Sequence, residues 1–112
     1  MVASNGGQVI ALGNYAISGN ASYHWLASDF GYLEVIGATV TLTGTPAFGG
    51  AFAFSTRKAG MNVYSNTYSG SATGARFLVS NVSLLFVNGA GASALPGNAA
   101  GTADSATYGG YV

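Results

Sequence analysis

Large apolar residues alternate with small or polar residues along most of the first 87 positions of the chain. A period of two, rich in aromatic and β-branched residues, is typical of strands with one buried face. The pattern predicts strands over 15–18, 23–25, 33–35, 39–43 and 51–54, and further strands over 61–68, 75–79 and 82–87.

Short runs of glycine, asparagine and serine separate these segments, as in Gly13-Asn14, Gly49-Gly50 and Asn88-Gly89. Such residues favour tight turns and loops. No stretch combines helical periodicity with a helix start signal. Many short strands with glycine-rich turns predict an all-β fold, an antiparallel β-sandwich or a compact barrel. Segment 82–87 is apolar on both faces and is predicted to be a central or an interface strand.

The last quarter of the chain has a different composition. Residues 1–87 carry the alternating pattern, whereas residues 88–112 are mostly Gly, Ala, Ser, Asn and Thr. A segment with so few large side chains cannot form its own core. We therefore expect a β-sandwich core over 1–87 and a glycine-rich extended arm over 88–112. The arm either belongs to the same domain or docks on a neighbouring subunit, and its aromatic end at Tyr108 and Tyr111 favours docking.

Charge is unusually scarce. The chain has six charged residues and a formal net charge of zero, so that 5% of its residues are charged, against roughly 25% in an ordinary soluble domain. A surface with so little charge and no net repulsion favours association. We therefore predict a homo-oligomer. The charged residues are Asp29, Glu34, Arg57, Lys58, Arg76 and Asp104.

The composition argues against several kinds of chemistry. There is no cysteine, and one histidine with three scattered acids makes no metal-ligand cluster. The glycine-rich stretch lacks the Lys-Ser/Thr ending of a phosphate-binding loop, and three cations are too few for nucleic-acid binding. No apolar run approaches the ~20 residues of a membrane span, and no export signal is apparent. We expect a protein that is not an enzyme and that uses no metal or cofactor.

Four segments in the second half carry a resemblance to a known family. In order, they are Thr45–Ala53, Tyr68–Phe77, Asn88–Gly101 and Tyr108–Tyr111. Their sequence and order, over about residues 42–112, resemble the C-terminal modules of phage and prophage fibre-like virion proteins. The resemblance implies a β-rich module on the virion surface that is usually homo-oligomeric and sometimes faces a receptor. The expected form is a head-decoration, tail-accessory or fibre-tip subunit, and the short chain favours the first two over the fibre role.

One aromatic cluster suggests a ligand site. Tyr23, Trp25 and Tyr32, flanked by His24 and Asp29, could form a platform on which the apolar face of a sugar stacks. The alternative interpretation is that Tyr23 and Trp25, two apart on a strand, point into the core or a subunit interface. The corresponding function would be recognition of a host surface glycan.

A second set of residues is predicted to contact partner subunits. The expected partners are further copies of the chain, most simply in a trimer, and other virion proteins such as a major capsid or tail protein. A subunit of an extracellular filament is a further alternative. The predicted interface residues are Phe86, Leu95, Tyr108, Tyr111, Arg57 and Lys58.

Overall fold

The computed structural model describes all 112 residues, which form a parallel β-solenoid of about four turns. The chain winds through three sheets, and each coil contributes one short strand to each sheet where the coil is complete. The strands are β1 Val2–Ala3, β2 Gln8–Ala11, β3 Tyr15–Ile17, β4 Ala21–Ala27, β5 Tyr32–Val35, β6 Thr39–Leu42, β7 Ala47–Ser55, β8 Gly60–Asn62, β9 Thr67–Ser69, β10 Thr73–Val79, β11 Leu84–Phe86, β12 Thr102–Ala103 and β13 Gly110–Tyr111. A single 3-10 turn spans Ser105–Thr107.

The register places equivalent residues of successive coils directly above one another. Sheet A has the order β1-β4-β7-β10-β12, sheet B the order β13-β11-β8-β5-β2, and sheet C the order β3-β6-β9. In sheet A, Leu26 lies between Val2 and Phe54, and Leu78 lies between Phe54 and Thr102. Equivalent positions in this ladder are 24 or 28 residues apart. The variable spacing is one reason why no repeat is evident in the sequence.

The predicted antiparallel β-sandwich or barrel is wrong, because every pair of neighbouring strands is parallel. The all-β prediction itself is confirmed. Alternation shows which face of a strand is buried, but it does not show the direction of the neighbouring strand. An antiparallel sandwich or barrel would require many of the predicted turns to reverse the chain. Here they turn the chain through a corner of the solenoid, and the next strand pairs with its equivalent one coil earlier.

The interior of the solenoid is filled by small residues in one part and by aromatic residues in another. Near the corner between sheets A and B, the small residues Ala3, Ala27 and Ser55 lie one above the other, followed by Val79, and all four are buried. Toward sheet C the interior is aromatic, and the Trp25 and Phe52 ring centroids are 4.8 Å apart. The large core residues include Phe48, Leu33, Met61, Leu85 and Val40.

Residues 88–112 complete the same solenoid. β12 pairs with β10, and β13 pairs with β11. Sheet C has no strand from this last coil. The loop between β11 and β12 instead buries Leu95 in the core, and the Tyr111 ring stacks on Phe77 with centroids 3.8 Å apart. The glycine-rich segment therefore packs on its own chain in this structure.

The segment from residue 82 to 87 forms a shorter strand than predicted. β11 covers Leu84–Phe86 and lies between β8 and β13 in sheet B. Val82 precedes it at a corner, where its side chain is exposed. The structure contains no helix that is both long and apolar enough to cross a lipid bilayer.

Close stacking of coils makes some glycines indispensable. Gly74 has a φ of 108°, and a Cβ atom there would lie 2.1 Å from the carbonyl oxygen of Phe48 in the preceding coil. Gly19, in contrast, has no heavy atom within 4 Å of the equivalent Cβ position and has no positive φ. A residue other than glycine would therefore be strained and would clash at position 74, whereas position 19 has room for a Cβ atom and no positive φ.

We predict that Gly74→Ala lowers the free energy of unfolding by about 3 kcal/mol or more, because it combines a backbone clash with a forbidden φ. Gly19→Ala is the matched control and should leave stability unchanged or raise it by about 0.5 kcal/mol. Urea unfolding followed by circular dichroism measures both values. Equal effects of the two substitutions would contradict the close coil contact at Gly74.

Candidate functional site

The corner between sheets A and B has the most unusual backbone in the molecule. In each of four coils, two consecutive residues there adopt the left-handed conformation, with φ between 52° and 74°. Non-glycine residues rarely adopt it, and for bulky or β-branched residues it is an outlier. The pairs are Asn5-Gly6, Asp29-Phe30, Arg57-Lys58 and Asn81-Val82.

A ladder of backbone hydrogen bonds holds this corner in place. The second residue of each pair donates its N–H to the carbonyl of the next coil: Phe30 to Arg57 at 3.1 Å, and Lys58 to Asn81 at 3.0 Å. Val82 donates in the same way to Thr107 at 2.7 Å. A left-handed residue costs about 1–2 kcal/mol. The repeated bonds offset that cost, since they fix each corner against its neighbours.

These stacked corners form an open groove, which we call the corner groove. Its volume is about 460 Å³, and it is lined by Asp29, Phe30, Arg57, Lys58, Asn81, Val82, Ala106, Thr107 and Tyr108. Three of the lining side chains are large, apolar and mostly exposed: Phe30 at 67%, Val82 at 57% and Tyr108 at 79%. Tyr108 is also left-handed, with a φ of 58°. The backbone at this corner therefore presents large side chains to solvent.

One ion pair and one cation lie along the corner groove. The Arg57 guanidinium donates to both carboxylate oxygens of Asp29, from Nε at 2.5 Å and from Nη2 at 2.9 Å. The hydrogen bond from Arg57, followed by that from Ser28, holds the pKa of Asp29 below its usual value. The Lys58 ammonium lies 5.3 Å from the centre of the Phe30 ring, a cation–π contact. The Asp29–Arg57 pair is the only salt bridge of the chain, so Lys58 has no carboxylate partner.

Polar groups order the other end of the corner groove. The Asn81 backbone N–H donates to Thr107 Oγ1 at 2.9 Å, and the Asn81 side-chain amide donates to Thr56 Oγ1 at 3.1 Å. Thr107 Oγ1 in turn donates to the Asp104 carboxylate at 3.0 Å. These bonds fix the 3-10 turn that precedes Tyr108 against the corner of the preceding coil.

The structure does not bring together the five residues predicted as a sugar platform. Trp25 is fully buried, and its Nε1 donates to the Tyr15 hydroxyl at 3.0 Å. Tyr23 lies on the Phe54 ring, with centroids 5.0 Å apart. Tyr32 lies in sheet B, where its hydrogen bond to Glu34 raises the pKa of the Tyr32 hydroxyl to about 12. Of the predicted five, Asp29 alone lines the corner groove.

His24 is part of the interior rather than a surface site. Its Nε2 lies 2.8 Å from the Tyr15 hydroxyl, and its ring centroid lies 5.0 Å from that of Phe52. Burial, and secondarily the positive charge of the Met1 amino group, lowers the pKa of His24 to about 4. The imidazole is therefore neutral at physiological pH.

The predicted interface residues lie in three places, namely at the core, at Phe86 on the other face of β11 from the buried Leu85, and in the corner groove. Leu95 is buried, and Tyr111 stacks on Phe77 and donates its hydroxyl proton to the Gly91 carbonyl at 2.8 Å. Phe86 packs edge-on against Tyr64. The remaining predicted residues, Arg57, Lys58 and Tyr108, line the corner groove.

Phe30 and Val82 line the corner groove but were not predicted as site residues. The signal for them is a weak repeat in which Ala3-Ser4-Asn5-Gly6-Gly7 corresponds to Ala27-Ser28-Asp29-Phe30-Gly31. Asn-Gly is a familiar left-handed pair. Aligning Asn5-Gly6 with Asp29-Phe30 would have shown that the bulky Phe30 occupies a left-handed position that suits glycine.

The left-handed Val82 gives a stability test of the corner. We predict that Val82→Asn raises the free energy of unfolding by about 0.5–1 kcal/mol, because Asn tolerates this conformation far better than a β-branched residue. Leu84→Asn is the matched control: Leu84 is similarly exposed, at 42%, but it lies in β11. Because Asn is unfavourable in a strand, the free energy of unfolding of this variant should be lower by about 1 kcal/mol. If both variants lose stability equally in urea unfolding, the strained corner is refuted.

His24 gives a test by pH. Its pKa falls from 6.5 in the unfolded chain to about 4 in the folded state, so below pH 6.5 the unfolded chain binds a proton that the folded chain does not. The contribution of His24 to the free energy of unfolding should therefore be fully present above pH 6.5. It should fall by about 2 kcal/mol as the pH drops to 4, a value that is reduced because the ring is partly exposed. Urea unfolding at several pH values measures this loss. His24→Gln should lack it, and an equal loss in that variant would rule out His24 as its source.

No group of three or more His, Cys, Asp or Glu side chains is placed to hold a metal ion. Comparisons of the chain with protein-family models, with curated proteins and with solved structures gave no match. The resemblance to fibre-like virion modules therefore stays a prediction.

Proposed function

We propose that the protein is a non-enzymatic structural subunit that assembles with copies of itself on the surface of a virion. The observation that supports self-assembly most directly is an uncharged apolar ladder on the outer face of sheet A. It consists of Val2, Leu26, Phe54 and Leu78, which lie opposite one another in register. We call it the apolar stripe.

The apolar stripe faces away from the core. The residues on either side of Leu26, Phe54 and Leu78 along their strands are buried, whereas these three are only partly buried. Since side chains alternate between the two faces of a strand, the three point outward. The Tyr23 ring extends the apolar surface by packing on Phe54.

An outward sheet face that contacts solvent is normally polar. Here no charged side chain interrupts the ladder. A contiguous apolar surface of this kind marks an interaction site. Covering it with the same surface of another copy would contribute roughly 25 cal/mol for each Å² of apolar area removed from water. The chain's zero net charge opposes such contact only weakly.

The virion setting, the trimeric state and contact with capsid or tail proteins are parts of the same proposal. Their support is the resemblance of residues 42–112 to fibre-like virion modules and the scarcity of charge. A trimer would bring three apolar stripes toward one axis, while a dimer would pair two of them face to face. Either arrangement satisfies closed symmetry.

The apolar stripe can be tested by adding one charge to it. We predict that Leu78→Asp converts the oligomer into monomers, because an unpaired carboxylate would be buried in the contact. Thr41→Asp is the matched control, since Thr41 is exposed in sheet C and should not affect assembly. Sedimentation velocity over a range of concentrations measures the states, and circular dichroism verifies that both variants fold.

A wild-type protein that sediments as a monomer at the highest concentration would contradict self-assembly. An oligomer that persists in Leu78→Asp would contradict the role of the apolar stripe. Electron microscopy of the wild-type oligomer separates the two assembly types: closed particles support the virion subunit, and open-ended fibres support the filament alternative.

A further inference from the structure

We propose that the corner groove binds an extended acidic oligosaccharide, a function beyond self-assembly. The groove lies at the corner between sheets A and B. None of its residues belongs to the apolar stripe. A ligand could therefore be bound while the apolar stripe contacts another copy.

The side chains of the corner groove are regularly spaced. Phe30, Lys58, Val82 and Tyr108 occupy successive coils, as the hydrogen-bond ladder of the corner shows. Neighbouring parallel strands are about 4.8 Å apart, so Phe30 and Tyr108 are separated by about 14 Å. A series of contacts at a constant interval suits a chain of repeating units that lies along the solenoid axis. A compact molecule would contact only one part of the corner groove.

The corner groove is also open and amphipathic. Pockets for small molecules usually enclose most of the ligand surface, but the Phe30 and Tyr108 rings are largely exposed here. Exposed rings offer apolar faces for the C–H faces of sugar rings. Asn81 and Thr107 lie between them in the same groove and carry groups that can bond with hydroxyls.

The side chains that line the corner groove carry an excess of positive charge. The corner groove holds two of the three basic residues of the chain and one of its three acids. Asp29 neutralises Arg57, which leaves the Lys58 ammonium without an anionic partner. A ligand that carries carboxylates would supply that partner, whereas a neutral glycan would not.

The backbone of the corner is strained at several positions along the groove. The first coil turns with Asn5-Gly6, a pair that suits the left-handed conformation. The later coils place Phe30, Lys58 and Val82 at the position of Gly6, where glycine would be less strained. Strained residues that persist in a fold cluster at functional sites. Large side chains at these positions are thus better explained by a ligand than by folding.

The test is isothermal titration calorimetry of the full chain with defined probes. The acidic probes are oligogalacturonate, oligosialate and hyaluronan fragments, the neutral probe is maltohexaose, and the peptide probe is hexaglutamate. We expect at least one acidic oligosaccharide to bind in a salt-dependent way, and the neutral and peptide probes to bind at least tenfold more weakly.

Variants identify the site. Phe30→Gly and Tyr108→Asn suit the left-handed backbone, so both should fold with an unchanged or higher melting temperature and bind at least tenfold more weakly. Lys58→Gln should weaken binding and abolish most of its salt dependence. Leu12→Ala is the control, because Leu12 is highly exposed and does not line the corner groove; its affinity should equal that of the wild type.

Three results would overturn the proposal. They are the absence of binding to every acidic oligosaccharide, equal affinity for maltohexaose or hexaglutamate, and binding that is unchanged in the folded Phe30→Gly and Tyr108→Asn variants. Each is independent of self-assembly, because the titrations can be repeated on the Leu78→Asp variant.

Discussion

The structure depends on parallel backbone pairing between successive coils. Each strand of a coil hydrogen-bonds to its equivalent in the next coil. Equivalent residues of successive coils therefore lie above one another, about 4.8 Å apart. This spacing leaves no room for a side chain where one coil crosses close to another, as at Gly74. Near the corner between sheets A and B, small residues fill three of the four stacked interior positions, Ala3, Ala27 and Ser55.

The same pairing accounts for the strained corner. A single left-handed Phe or Val would cost conformational free energy. Here each such residue is fixed by a hydrogen bond to the next coil, and the interactions between neighbouring coils stabilise the corner as a whole. The stack has two consequences at the surface. It aligns Phe30, Lys58, Val82 and Tyr108 in one groove, and in sheet A it aligns the apolar stripe. Regular stacking thus turns isolated exposed side chains into continuous surfaces.

The strand content followed from the sequence because alternation reports burial directly. Leu33-Glu34-Val35 and Thr39–Leu42 are strands whose apolar residues are buried, as expected. The direction of pairing did not follow, since parallel and antiparallel neighbours require the same alternation. The expectation of a glycine-rich extended arm over 88–112 rests on composition. In a solenoid, a glycine-rich segment can complete the last coil when only a few of its large side chains, such as Leu95 and Tyr111, pack on the core.

The most direct test of the parallel stack is a distance between two coils. The chain contains no cysteine, so spin labels can be attached at Ala16→Cys and Ser69→Cys, two exposed positions of sheet C on either side of Thr41. Two strand spacings separate them, and electron paramagnetic resonance should show strong dipolar coupling at about 10 Å between backbone positions. Labels that show no coupling within about 20 Å would contradict the solenoid.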